Sequence, residues 1–131
     1  MIRFPMTDDQ KDIVDLTCQI LEKELAPQLA KLDEESKFPM DVYEKMVEAG
    51  LYAMEVPEKY GGMGLDHESL FLMHEAMGYY DASFGFSFHG GSISAESIFI
   101  GGTEEQKQFA AEKLLEGKNV CLLSDGTGRR L

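Results

Sequence analysis

Positive charge is what this sequence has least of. Twelve Lys and Arg stand against twenty-four Asp and Glu, a formal net charge of −12 over 131 residues. A surface of that sign repels a phosphate backbone, and no basic stripe interrupts it, so nucleic acid is excluded as an expected partner. The same field gives no attraction to a free CoA-type phosphate tail, so any ligand of that kind needs basic groups from elsewhere. Cysteine is almost missing: Cys18 and Cys121 lie far apart in no CxxC pattern. That argues against a disulfide framework or a zinc site and leaves buried free thiols as the expectation. No apolar run reaches the roughly 18 residues that a membrane-spanning helix needs. The first residues lack a basic segment followed by an apolar one, so neither a secretory leader nor a transit peptide is read, and the cytoplasm is the expected compartment.

What is present is ordinary globular composition, 44% hydrophobic and 27% charged, in a chain long enough to bury roughly two-thirds of its unfolded surface as one domain. Helical punctuation recurs along it. Thr7-Asp8-Asp9-Gln10 fits a capping box, in which a Thr side chain and the Gln three residues on satisfy each other's free backbone donors. Ile13, Leu16, Ile20, Leu21 and Leu25 follow as one apolar stripe. Pro27 then either kinks that helix or opens a second piece through Leu29 and Leu32. Another helix is expected after Phe38-Pro39, running through Val42, Tyr43, Met46 and Val47 to Gly50. A third begins with Asp66 as its cap and continues through Leu70, Phe71, Met73, His74 and Met77. Thr103-Glu104-Glu105-Gln106 is a second capping box, opening a helix with Phe109, Ala110, Leu114 and Leu115 that stops at Gly117.

Two stretches resist simple periodicity. In VPEKYGGMGLD, residues 56–66, Pro57 biases Val56 toward extended backbone, and Gly61, Gly62 and Gly64 permit positive φ where other residues would be strained, so the chain turns sharply between helices. In residues 81–100, Phe84, Phe86 and Phe88 alternate with small residues as a strand would, although helix is the favoured reading. Gly85, Ser87, Gly90, Gly91, Ser92 and Ser94 permit close approach of a neighbouring helix or of a ligand. Tight packing is the simpler account; a cavity-lining role is the sharper one.

Taken in order, ELAP (24–27), Asp33, Phe38-Pro39, Ala49-Gly50-Leu51, VPEKYGGMGLD, Glu75, GTEEQK (102–107) and LLEGK (114–118) resemble the amino-terminal domain of the flavin-dependent acyl-CoA dehydrogenases. The likeness covers residues 4–118. It implies an all-α fold, a helical bundle over residues 1–118, with residues 119–131 as a short extended tail where a middle β-domain would start. It also makes residues 81–100 a helix. Members of that family remove the α-proton of an acyl-CoA thioester with a carboxylate base while hydride passes from the β-carbon to FAD. The resemblance places the base and most of the flavin site in middle and carboxy-terminal domains that these residues do not include. The chain is therefore expected to be inactive alone, to hold no FAD of its own, and to depend on those domains or on a separately encoded partner.

In such dehydrogenases the helix after the hinge helix closes the far end of the acyl cavity. The matching positions here are Gly85, Phe86, His89, Gly90 and Ile93, which become the candidate acyl-binding residues. The bulk of Phe86 and His89 hints at a short cavity or a branched acyl group. No catalytic residue is assigned: Glu75 and Glu96 are read as solvated or capping carboxylates. His67 and His74, seven apart, lack the i, i+4 spacing and third ligand of a metal site. Met46, Met54, Met73 and Met77 are read first as core filler. Two other classes stay open: a stand-alone helical module that self-associates or pairs with a partner, and the same domain of a flavin monooxygenase or nitroalkane oxidase relative.

Overall fold

The computed structural model describes residues 5–119, and among them every regular element is helical. Cys121 and nearly all of the expected extended tail lie outside the described residues. The first helix, α1 (Asp8–Ile20), starts where the capping box puts it. Thr7 Oγ1 accepts from the Gln10 backbone N–H at 3.2 Å, and Gln10 Oε1 accepts from the Thr7 N–H at 3.1 Å. The Gln10 amide also reaches Ser69 Oγ, 3.4 Å away on a later helix, so the cap anchors α1 sideways as well as starting it.

Ahead of Pro27 the helix neither simply bends nor simply stops. It widens into a π-turn at Leu21–Leu25, tightens into a 3₁₀ turn at Ala26–Gln28, and resumes as α2 (Leu29–Glu35). A proline has no N–H to donate to the preceding turn, and a change of helical pitch absorbs that loss without freeing the chain. Leu21 and Leu25, fully buried, point the wide turn at the core. Next come α3 (Met40–Glu48), α4 (His67–Tyr80), α5 (Ala82–Gly101) and α6 (Glu104–Leu115), the last opened by the second capping box around Thr103 and Gln106.

The link between α3 and α4 is held by its own backbone. Gly64 N–H donates to Val56 O and Leu65 N–H to Met54 O, both at 2.9 Å, and a 3₁₀ turn fills Glu58–Tyr60. Gly61 and Gly64 take positive φ, +92° and +61°. Gly62 does not, and it is needed for room instead. A Cβ on Gly62 would lie 2.0 Å from Val56 O.

The F-x-F-x-F segment is resolved by tertiary packing. In α5, Phe84 and Phe88 lie one helical turn apart and are 2% and 1% exposed, whereas Phe86 is 77% exposed. Phe88 meets Tyr52 and Tyr43 edge-on at ring centroid distances of 5.2 and 5.6 Å, and Phe38 stacks on Phe84 at 5.8 Å. Aromatic edges and faces attract in such arrangements beyond their burial. Tyr43 donates its hydroxyl to Gly117 O at 2.9 Å, tying α3 to the end of α6. Met46, Met54, Met73 and Met77 are all buried, as core filler should be. Cys18 departs from expectation: it is half-buried, its thiol pKa pushed up mainly by burial and then by the charges of Asp15 and Glu22. No helix of the described residues is long and apolar enough to cross a membrane.

Two glycines make the packing testable. Gly62→Ala forces a methyl into a carbonyl oxygen and is expected to cost about 2–4 kcal/mol in urea unfolding. Gly90→Ala, on an open helical surface with nothing within 4 Å, is expected to raise stability by about 0.5–1 kcal/mol. A Gly62→Ala variant as stable as the parent would contradict the hinge geometry.

Candidate functional site

One residue separates α4 from α5. Asp81 is extended (φ −157°, ψ 115°), donates its N–H to Met77 O at the end of α4, and with its carboxylate accepts the Phe84 N–H that starts α5. So short a joint folds the two helices against each other, and Gly85 lets them approach: a Cβ there would meet Met77 Cβ at 3.2 Å. Between them runs a groove of about 520 Å³, lined from α4 by His67, Leu70, Phe71, His74 and Gly78 and from α5 by Ala82, Gly85, Phe86, His89 and Glu96. An adjoining recess of about 290 Å³ shares His67, Leu70, His89 and Glu96 and is closed by Glu55, Pro57 and Leu65 of the hinge segment together with Phe99 and Ile100. The hinge thus forms one end of the groove.

Of the candidate residues, Gly85, Phe86 and His89 line this groove, and Gly90 and Ile93 are not among its lining. Gly90 is exposed, and Ile93 stands 52% exposed on the same helix. The sequence reading passed over the α4 side. His67, Leu70, Phe71, His74 and Gly78 recur at three- and four-residue steps, one face of a helix, and Ala82, Gly85, Phe86 and His89 repeat that spacing on α5. That matched period was the available signal. His67 and His74 both lie on this wall, and among the described residues no group of three or more His, Cys, Asp or Glu side chains could hold a metal ion. Glu96 is an exposed carboxylate whose Oε1 lies 3.6 Å from His67 Nε2 across the groove. Glu75 is half-buried on α4 and is not among the lining residues.

The walls are chiefly apolar, with three imidazoles set into them, two of which touch. His74 and His89 meet edge to face, ring centroids 4.4 Å apart at 75°. His74 Nδ1 is 2.7 Å from Leu70 O. A carbonyl can only accept, so in the neutral ring Nδ1 carries the proton and Nε2 is an acceptor. Burial pushes the His74 pKa below its ordinary value; the Leu70 carbonyl opposes this, and the neighbouring His89 adds to it. Three buried side-chain atoms of the described residues lack a hydrogen-bond partner: Glu55 Oε1, His74 Nε2 and His89 Nδ1. All three belong to residues lining the groove or its recess. No Lys or Arg stands among those lining residues. Such a site can bury an apolar chain and offer hydrogen bonds at a few points; it has no cation for a phosphate.

Comparison with known proteins gives a consistent picture. The sequence family described as acyl-CoA dehydrogenase, N-terminal domain, matches residues 7–118. A probable acyl-CoA dehydrogenase of Bacillus subtilis is 35% identical over 117 residues, 88% of this chain and 31% of that protein. The solved butyryl-CoA dehydrogenase of Megasphaera elsdenii superposes with a TM-score of 0.78 at 31% identity, over 88% of this chain and 31% of that one. A chain of the solved electron transferring flavoprotein structure from Acidaminococcus fermentans gives a TM-score of 0.81 at 35% identity, over 97% of this chain and 34% of that one. The chain spans about a third of the length of the curated relatives it matches.

The lowered His74 pKa sets a pH dependence of stability. The folded ring resists protonation while the unfolded ring takes a proton near its ordinary value of 6.5. Stability from this residue is therefore full above that value and is lost as pH falls through it toward the folded pKa. Urea midpoints between about pH 7.5 and about pH 5.5 are expected to fall more for the parent than for His74→Gln. Equal losses would contradict the assignment.

Proposed function

The chain belongs to the acyl-CoA dehydrogenase N-terminal domain family, and from that premise we propose that it supplies one wall of an acyl-thioester cleft whose oxidant and proton acceptor reside on protein outside these 131 residues. The observation that carries this reading is the α4–α5 groove, chiefly apolar and closed at one end by the hinge. An acyl chain laid in it gains from burial of its methylenes, about 0.8 kcal/mol each. Leu70, Phe71, Ala82 and Phe86 provide the apolar contact, Gly78 and Gly85 the room, and the hinge a stop. On this reading Gly85, Phe86 and His89 belong to the acyl wall, whereas Gly90 and Ile93 face whatever packs on the outer side of α5.

FAD is the oxidant that full-length relatives of this kind imply. The groove residues of this chain do not fit it: a dinucleotide pyrophosphate wants cations or a row of backbone donors, and the charge-bearing groups here are three histidines, Glu55 and Glu96. No step is assigned to flavin on this chain, which by itself is expected to bind an acyl group without oxidising it.

A second reading has its own observation. Phe86, Ile93 and Ile100 recur at seven-residue intervals on α5 and are 77%, 52% and 77% exposed. A stripe of that kind is a contact face, and it favours association with further domains of the same enzyme, with a separately made partner, or with a second copy. Sedimentation at rising concentration tests the last of these: self-association requires dimers or larger species, and a strict monomer contradicts it.

Two outcomes test the main reading. Butanoyl-, hexanoyl- and octanoyl-CoA, titrated against the labelled chain by NMR, should perturb the Phe86 and His89 resonances with affinity rising about fourfold per methylene until the hinge is reached. Affinity independent of chain length would contradict it. The purified chain should also lack flavin absorbance, and a yellow protein that bleaches with an acyl-CoA would overturn the claim that the oxidant lies elsewhere.

A further inference from the structure

Among the described residues, the buried side-chain atoms without a hydrogen-bond partner lie in the groove and its recess. A buried polar atom without a hydrogen bond costs roughly 1–3 kcal/mol, and such atoms concentrate where a ligand supplies the missing partner. His74 Nε2 is an acceptor, because Nδ1 of the same ring gives its proton to Leu70 O. His89 Nδ1 is free to be the donor, its ring lying 4.4 Å from that of His74. One group that both donates and accepts can satisfy the pair, and a hydroxyl does so with a single oxygen: its O–H goes to His74 Nε2 and its lone pair takes the His89 Nδ1–H.

The alternatives fail on the same atoms. A ketone or ether oxygen leaves His74 Nε2 unsatisfied. An ammonium would need both imidazole atoms as acceptors and would carry an unpaired charge between apolar walls. A carboxylate cannot donate, and it would bring a negative charge among apolar walls that already hold Glu55 and Glu96. We propose, resting on the acyl-wall reading above, that the ligand of this groove is a hydroxylated acyl thioester whose hydroxyl, near the distal end of the chain, is held between His74 Nε2 and His89 Nδ1. Discrimination of this kind is strong because a plain alkyl chain leaves both imidazole atoms buried and unpaired.

The test is a matched pair of thioesters, ω-hydroxyhexanoyl-CoA and hexanoyl-CoA, titrated against the full chain with nitrogen-labelled histidine. The hydroxylated thioester should bind about tenfold more tightly and should shift the His74 Nε2 resonance, which the plain one leaves in place. In His74→Leu and, separately, His89→Leu, each checked for retained helical circular dichroism, the preference should disappear, and His74→Gln should restore part of it. Equal affinities for the two thioesters in the parent would overturn the proposal while leaving the acyl-wall reading intact. Absence of binding by both would overturn that reading and the proposal with it.

Discussion

The architecture of the site depends on one joint. Asp81 ends α4 with its backbone and begins α5 with its side chain, so a single extended residue carries both caps. The two helices must then lie against each other, and the distance between them is set by what occupies the crossing, Gly85 against Met77. A larger residue at 85 would push α5 away and change the groove along its length. The aromatic cluster braces the same helix: Phe88 locks α5 onto Tyr43 and Tyr52 and Phe84 packs on Phe38, and Gly91 makes room for the Tyr52 ring, since a Cβ there would fall 2.1 Å from its hydroxyl oxygen. Small residues in α5 thus serve close packing and leave a cleft as its by-product. The two accounts of the glycine-rich segment describe one geometry.

Charge divides the labour between this chain and what it meets. With −12 overall, and with lysines committed to neighbouring carboxylates such as Glu24, Glu104 and Glu116, the protein is suited to the apolar end of a thioester and unsuited to its nucleotide end. The exposed stripe of Phe86, Ile93 and Ile100 beside the groove would be covered by whatever protein completes the cleft. On the proposed reading the acyl wall and the association face share α5, and Phe86 contributes to both.

Much of this was legible in the residues because it is local. Capping boxes at Thr7 and Thr103 and the Asp66 cap act over three residues, and each helix begins where its signal stands. What could not be read locally was decided by distant partners. Phe84, Phe86 and Phe88 have a strand's period, and contact with Phe38, Tyr43 and Tyr52 makes them two core residues and one exposed one. Gly61, Gly62 and Gly64 look alike in sequence, yet two are required for φ and one for the nearness of Val56 O. In the site, Gly85, Phe86 and His89 of α5 were implied by the family resemblance and do line the groove. His74 was missed because its meaning comes from α4 lying opposite, with a tautomer fixed by Leu70 O.

The central claim, that the cleft between α4 and α5 is where an acyl chain lies, is tested most directly by locating one atom. A hexanoyl-CoA carrying an isotope label only at its terminal methyl should give intermolecular NOEs to the ring protons of Phe71, Phe86 and His89. NOEs instead to residues around Phe38 and Leu32, beside a separate recess of the fold, would contradict it.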